Sequence, residues 1–151
     1  MKRKKIIRYA LLSLLVIAAA AAIYIYKEFN RKHKDTAKIK ADYSLTAAGL
    51  LAEFAANEKQ AGEKYMDKVL SVEGAIKEIL KDEKGFYTVS LGDTASLSSV
   101  RCSIDSTHTG EVTHLQKGTN ISVKGICTGY NADELLGSDV VLIRSVVDNK
   151  K

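Results

Sequence analysis

The chain has 151 residues, 46% hydrophobic and 27% charged, which is enough for one domain and an extension. Its net charge of +5 is segregated: residues 1–40 hold 11 Lys/Arg against 2 Asp/Glu, whereas residues 41–151 hold 12 against 16. The part that folds is therefore mildly acidic, which argues against a nucleic-acid-binding domain carrying its own basic footprint.

The first predicted element is a membrane span. No charged residue interrupts the 18 positions from 9 to 26, and Ile6 and Ile7 extend the apolar stretch. As a helix such a run measures roughly 27 Å, against a hydrocarbon core of about 30 Å. Tyr9, Tyr24 and Tyr26 stand at its ends, where amphipathic rings favour the interface. Met1-Lys2-Arg3-Lys4-Lys5 is a dense positive cluster that favours a cytoplasmic N-terminus. Residues 1–27 read as a signal anchor that contacts the membrane through residues 6–26. A cleaved signal peptide, with Ala20 and Ala22 as its small-x-small site, is disfavoured because the run exceeds the usual ~7–15 residues. A buried core helix is disfavoured because no polar face is present. No Cys closes the run, so a lipid-modified N-terminus is not expected. Six Lys/Arg follow the span and five precede it, so charge alone orients it weakly. The tighter N-terminal cluster, and the ease with which whole domains translocate, place the C-terminal domain outside the cytoplasm, in the periplasm of a bacterium.

Residues 28–41 form a basic, non-periodic linker, either a solvated spacer or a segment lying on anionic headgroups. A helix is predicted over 46–64, with Thr46 as N-cap. Its apolar face carries Leu50, Leu51, Phe54, Ala55, Ala61 and Tyr65. The period then changes to two. Leu70, Val72, Gly74 and Ile76 make a first strand, and a turn at 82–85 leads to Tyr87, Val89 and Leu91 in a second. Val100, Cys102 and Ile104 make a third. Residues 106–117 break the alternation, with a short helix expected around 111–115. Ile121, Val123, Gly125 and Cys127 make a fourth strand, and 140–147 a nearly continuous apolar fifth. Five short antiparallel strands with a helical break between the third and fourth predict a mainly β chain: a five-stranded oligonucleotide/oligosaccharide-binding (OB) barrel that makes up, with its leading α-helix over 46–64, a domain spanning 42–148 behind an N-terminal transmembrane helix. An SH3-like barrel is the alternative. Closure removes strand edges, and Gly74 suits a bend at a barrel corner.

Specific strings carry a family likeness. Asn57-Glu58-Lys59-Gln60-Ala61, Lys64-Tyr65 and Lys68-Val69-Leu70-Ser71-Val72-Glu73-Gly74 resemble the start of the bacterial tRNA_anti-like family of OB-fold proteins. Val100 to Ser103, Leu115 to Gly118 and Val123 to Tyr130 continue the likeness, which runs from about 41 to 147. The resemblance implies an OB fold preceded by a helix, in envelope proteins that carry a signal sequence or lipid anchor. The lipoprotein cysteine common in such proteins is missing, so lipoprotein behaviour does not carry over.

Residues that could carry chemistry are few. Cys102 and Cys127 fall on inward positions of different strands, and read equally as two buried core thiols or as a disulfide. Neither has a second ligand at metal-binding spacing, so no metal is expected. His33, His108 and His114 read as surface histidines. No phosphate loop, nucleophile elbow or paired-carboxylate motif is present, so neither an enzyme nor a cofactor is expected. The acidic pairs at 82–83 and 133–134 read as solvated turns. The candidate binding face is the outer surface of strands two and three with the adjoining loops: Lys84, Phe86, Thr88, Ser90, Arg101, Ser103 and Tyr130. Single-strand binders stack bases on several aromatics inside a basic groove. This face offers two rings, few cations and mostly hydroxyls. The expected role is a membrane-anchored, non-catalytic module that binds an unknown protein or envelope polymer, with nucleic acid as the disfavoured alternative.

Overall fold

The computed structural model describes residues 14–26, 35–133 and 135–148, and divides into two units, residues 1–33 and 34–151. In the first unit residues 14–26 are helical (α1), and their side chains are exposed. Among the described residues no helix is long and apolar enough to cross a membrane. The rest of the expected span, and the linker from 27 to 34, lie outside the described residues.

The second unit opens with a 3-10 turn, Thr36–Lys38, capped by the Asp35 carboxylate, which accepts from Ala37 N at 3.0 Å. A short strand β1 (Tyr43–Thr46) runs into α2 (Ala47–Ala56). Thr46 is the N-cap: its backbone is extended and its hydroxyl accepts from Gly49 N at 3.1 Å. The single helix expected over 46–64 is broken at Asn57, which ends α2 and starts α3 (Glu58–Tyr65). Asn57 stays extended while its side chain accepts from Gln60 N at 3.0 Å. A short polar side chain that serves the backbone this way competes with helix continuation. The buried face is nonetheless shared, since Leu50, Phe54, Ala61 and Tyr65 are all buried.

Five longer strands follow: β2 (Val69–Lys81), β3 (Tyr87–Leu91), β4 (Ser99–Ile104), β5 (Asn120–Asn131) and β6 (Asp139–Val147). They pair in the order β2-β3-β4-β6-β5, and β5 returns to β2 to close a barrel. Closure requires β2 to serve two partners. Its first half pairs with β5, from Val69↔Ile126 to Ala75↔Asn120, and its second half pairs with β3, from Ile76↔Leu91 to Lys81↔Tyr87. The hand-over falls at Gly74–Glu78, where a register shift marks a bulge. A Cβ on Gly74 would lie 3.0 Å from Ala47 Cβ, so this glycine lets α2 approach the strand closely.

Two pairings depart from the all-antiparallel expectation. β1 adds a sixth strand, parallel to the start of β2, and β4 runs parallel to β6. Alternation of apolar and polar residues is the same for either direction, so strand sense could not be read from it. The β4–β6 pairing closes the five-stranded Greek key of an OB barrel and removes the SH3-like alternative. The helix expected at 111–115 is a 3-10 turn, Thr109–Glu111, followed by Val112, which is buried. Inside the barrel Leu70, Val72, Val89, Leu91, Val100, Val123, Val140 and Leu142 are fully buried. Each stabilises the fold by roughly 1.5–3 kcal/mol relative to exposure.

Candidate binding face and barrel rim

On the outer surface the β3–β4 register sets Thr88 opposite Ser103 and Ser90 opposite Arg101. Glu78 of β2 lies opposite Ser90 on the other side. The expected face is thus assembled by Thr88, Ser90, Arg101 and Ser103. Ser90 is 6% exposed and lies at its floor. Arg101 reaches β6, where its Nη1 stands 3.6 Å from Asp139 Oδ2, while Ser99 Oγ donates to Asp139 Oδ1 at 2.6 Å. Lys77 turns its ammonium onto the carbonyls of Ser96 and Ser98. These groups border a shallow groove of about 280 Å³ lined by Lys77, Glu78, Ser90, Leu97, Ser99, Arg101 and Asp139. Two cations face two carboxylates there, so the groove is electrically balanced and the Arg101 charge already has a partner.

Lys84 and Phe86 sit at the β2–β3 turn, which the Asp82 carboxylate organises by accepting from Lys84 N at 2.9 Å and Phe86 N at 2.8 Å. Phe86 is 47% exposed and is the aromatic ring available at this end of the face. Lys81 lies beside it, its ammonium 5.3 Å from the centre of the Tyr87 ring. Tyr130 does not join the face. It stacks on Phe54 of α2, with ring centroids 4.9 Å apart and planes 21° apart, and packs against the core. Its position at the end of β5 suggests a loop residue, but α2 covers that end of the barrel and takes the ring.

A different surface appears at the end covered by α2. Ala48, Leu51, Ala52 and Ala55 of α2 line a groove of about 320 Å³ with Tyr130 and the loops before β4 and β6. Beside it Leu97, Leu135 and Leu136 are 67%, 85% and 78% exposed. The two loops touch: a Cβ on Gly137, whose φ is +87°, would lie 2.5 Å from the Leu97 carbonyl carbon. Asp133 fixes the second loop by accepting from Leu135 N and Leu136 N, both at 2.8 Å, and these bonds hold its carboxyl below the usual range. The acidic pairs at 82–83 and 133–134 therefore each supply a turn-forming Asp. Sequence reading missed the leucine rim; its signal is an apolar pair inside an Asp…Gly turn, where nothing buries it.

The cysteines are free thiols and both are buried. Cys102 and Cys127 are each the register partner of Leu142, one from β4 and one from β5. Two strand spacings, roughly 9–10 Å, separate such positions. That exceeds the ~4.4–6.8 Å Cα separation of a disulfide, so the bridge considered from sequence does not form. Burial pushes the Cys102 thiol up to about 12 and the Cys127 thiol up to about 11. Among the described residues no three His, Cys, Asp or Glu side chains cluster closely enough to hold a metal ion.

The model of the tRNA_anti-like family matches residues 1–146 of the chain. Among solved structures, a protein from Klebsiella pneumoniae subsp. pneumoniae MGH 78578, described as a "putative nucleic acid-binding lipoprotein", superposes with a TM-score of 0.53 at 18% identity, over 68% of this chain and 89% of that one. At that identity the likeness is one of fold. The asparaginyl-tRNA synthetase of Entamoeba histolytica matches with a TM-score of 0.39 at 15% identity, over 56% of this chain and 21% of that one. No curated protein matches the chain.

Proposed function

The chain belongs to the tRNA_anti-like family of OB-fold proteins, and from that premise we propose that it is a membrane-anchored, non-catalytic binding module of the cell envelope, which uses its barrel to hold a protein or envelope polymer. The observation that carries this reading is the balanced groove on the β3–β4 face. Arg101 is engaged by Asp139 at 3.6 Å, Tyr130 is stacked under α2, and the side chains in register around Arg101 are the hydroxyls of Thr88, Ser90 and Ser103. A single-strand binder needs free cations for the phosphates and several open rings for the bases. Neutral hydroxyl surfaces suit peptide backbone or glycan hydroxyls, and the exposed leucines at the rim favour a protein partner. The anchor is supported by α1, which is apolar on every side, and by the charge-free run from 9 to 26. Its positive N-terminal cluster supports a periplasmic barrel.

Nucleic acid is the second reading. It is favoured by the description of the Klebsiella pneumoniae neighbour and by Lys81 and Lys84 near the exposed Phe86. Titrating the full-length chain in detergent with labelled single-stranded oligonucleotide at low salt separates the two. The expected result is no saturable binding in the range of about 1–100 µM where non-specific binders fall. Micromolar binding that weakens in Arg101→Ala would reverse the ranking. A compartment-sensitive reporter fused after Lys151 should be active only outside the cytoplasm; activity inside would overturn the proposed address.

A further inference from the structure

His108 has both ring nitrogens committed to carboxylates. Nδ1 lies 3.0 Å from Glu111 Oε1, three residues on, and Nε2 lies 3.2 Å from Asp35 Oδ1, at the start of the folded unit. A carboxylate only accepts, and a neutral imidazole carries one N–H. Only the imidazolium can donate to both partners; the neutral ring leaves one lone pair facing an anion at about hydrogen-bond distance. We propose that His108 is a proton-operated latch that holds residues 35–38 against the barrel, and that loss of the proton loosens this segment.

The surroundings define which contact gives way. Glu111 is a local partner within the same turn, so keeping it orders little additional chain. Asp35 is 73 residues distant in sequence and belongs to the first described turn of the folded unit. The neutral ring therefore retains Nδ1–H toward Glu111 and gives up Asp35. The 3-10 turn contributes Asp35 and Lys38, whose ammonium is 3.7 Å from Asp35 Oδ2. The connection after β4 contributes Asp105 and Glu111. β5 contributes Lys124, which donates to the Ala37 carbonyl at 2.9 Å. β6, packed on the same turn, carries Arg144 as its charge beyond Asp139. Glu111 first, and Asp35 after it, raise the His108 pKa above its ordinary value, against the opposing effect of partial burial. A raised folded-state pKa means that the latch is closed below the unfolded value and opens as pH rises through the folded one.

The backbone is held again from Asp42, whose carboxylate accepts from Val69 N at 2.9 Å. Between these points Thr36 is buried and Lys124 holds the Ala37 carbonyl, so loss of the proton weakens the hold on residues 35–41, which span up to roughly 23–25 Å when extended. Behind a membrane anchor, more frequent opening of this segment would lengthen the average reach of the barrel. That change in reach rests on the anchor proposed above; the latch does not.

Nuclear magnetic resonance of the full-length chain in micelles tests it, following the His108 imidazole and amide exchange at Ala37 and Ile39 as pH rises. The expected midpoint lies above 6.5 and moves down in Asp35→Asn, which keeps an acceptor for Ala37 N but removes the charge. Protection at Ile39, corrected for intrinsic exchange, should fall at least about threefold across the titration in the natural chain and stay flat in His108→Gln. A midpoint at or below 6.5, one that Asp35→Asn leaves in place, or equal pH dependence in both chains would refute the latch. All three signals come from the barrel unit, so a misplaced anchor would leave them unchanged.

Discussion

Gly125 shows how one missing methyl shapes the barrel. A Cβ there would lie 2.5 Å from Ser145 Oγ, 3.0 Å from Leu142 Cβ and 3.3 Å from the Ile143 carbonyl. Ser145 is fully buried and its hydroxyl has no partner among the described residues, so it cannot rotate away into water. Gly125→Ala should therefore destabilise the fold by about 1–3 kcal/mol through overpacking. Thermal unfolding reads this as a loss of roughly 4–8 °C per kcal/mol for a domain near this size. An unchanged midpoint would mean that β5 and β6 yield more readily than their register suggests. The two thiols are the other case where position decides chemistry. Cys102 and Cys127 flank Leu142 from opposite strands and are held protonated by burial. The thiolate is the reactive form, so a thiol reagent at pH 8 should label neither residue in the native chain and both after denaturation. Native labelling of either would show that the barrel opens locally on the time scale of the reaction.

Asn57 belongs to the scale of elements, because it divides one apolar stripe between two helices. Its side chain caps α3 through Gln60 N, and its own N–H closes the end of α2 on the Glu53 carbonyl. Asn57→Ala should cost about 1 kcal/mol, within the 0.5–2 range of lost caps, and Asn57→Asp should restore most of it. Urea unfolding of both variants measures the difference. The break was open to sequence reading, since Asn followed by Glu58 is a start signal; Phe54 and Ala61, seven residues apart and so on one face of a continuous helix, concealed it. The strands fared better, because a period of two reports burial directly: Val100, Cys102 and Ile104 are inside and Arg101 is outside, as their alternation requires. What alternation could not report was strand direction, the added β1, or the end of the barrel that α2 covers. Those depend on contacts between distant segments, and they decided the site. Arg101 and Thr88 are where the pattern places them, whereas Tyr130 was lost to Phe54 and Asp139 arrived from β6 to neutralise Arg101.

For the molecule as a whole the controlling quantity is where charge lies along the chain. Residues 27–40 carry six Lys/Arg and two Asp/Glu, and residues 41–151 carry a net −4, so the portion behind the apolar run is neutral in sum but polarised end to end. Near an anionic leaflet each basic residue contributes about 1 kcal/mol, and that attraction decays within a Debye length, about 10 Å at 0.1 M salt. The acidic barrel is repelled by the same surface. A fragment spanning 27–151 should therefore sediment with phosphatidylserine-containing vesicles at about 20 mM salt and be released by about 300 mM, where screening is shorter than the headgroup layer. The full chain should stay with the vesicles at both concentrations, because burial of an 18-residue apolar run is indifferent to salt. The contrast between the two proteins is what matters. If salt strips the full chain as readily as the fragment, the apolar run is not inserted, and the basic linker alone brings the barrel to the membrane. If the fragment never binds, the linker is a spacer, and its basic residues add nothing to membrane affinity.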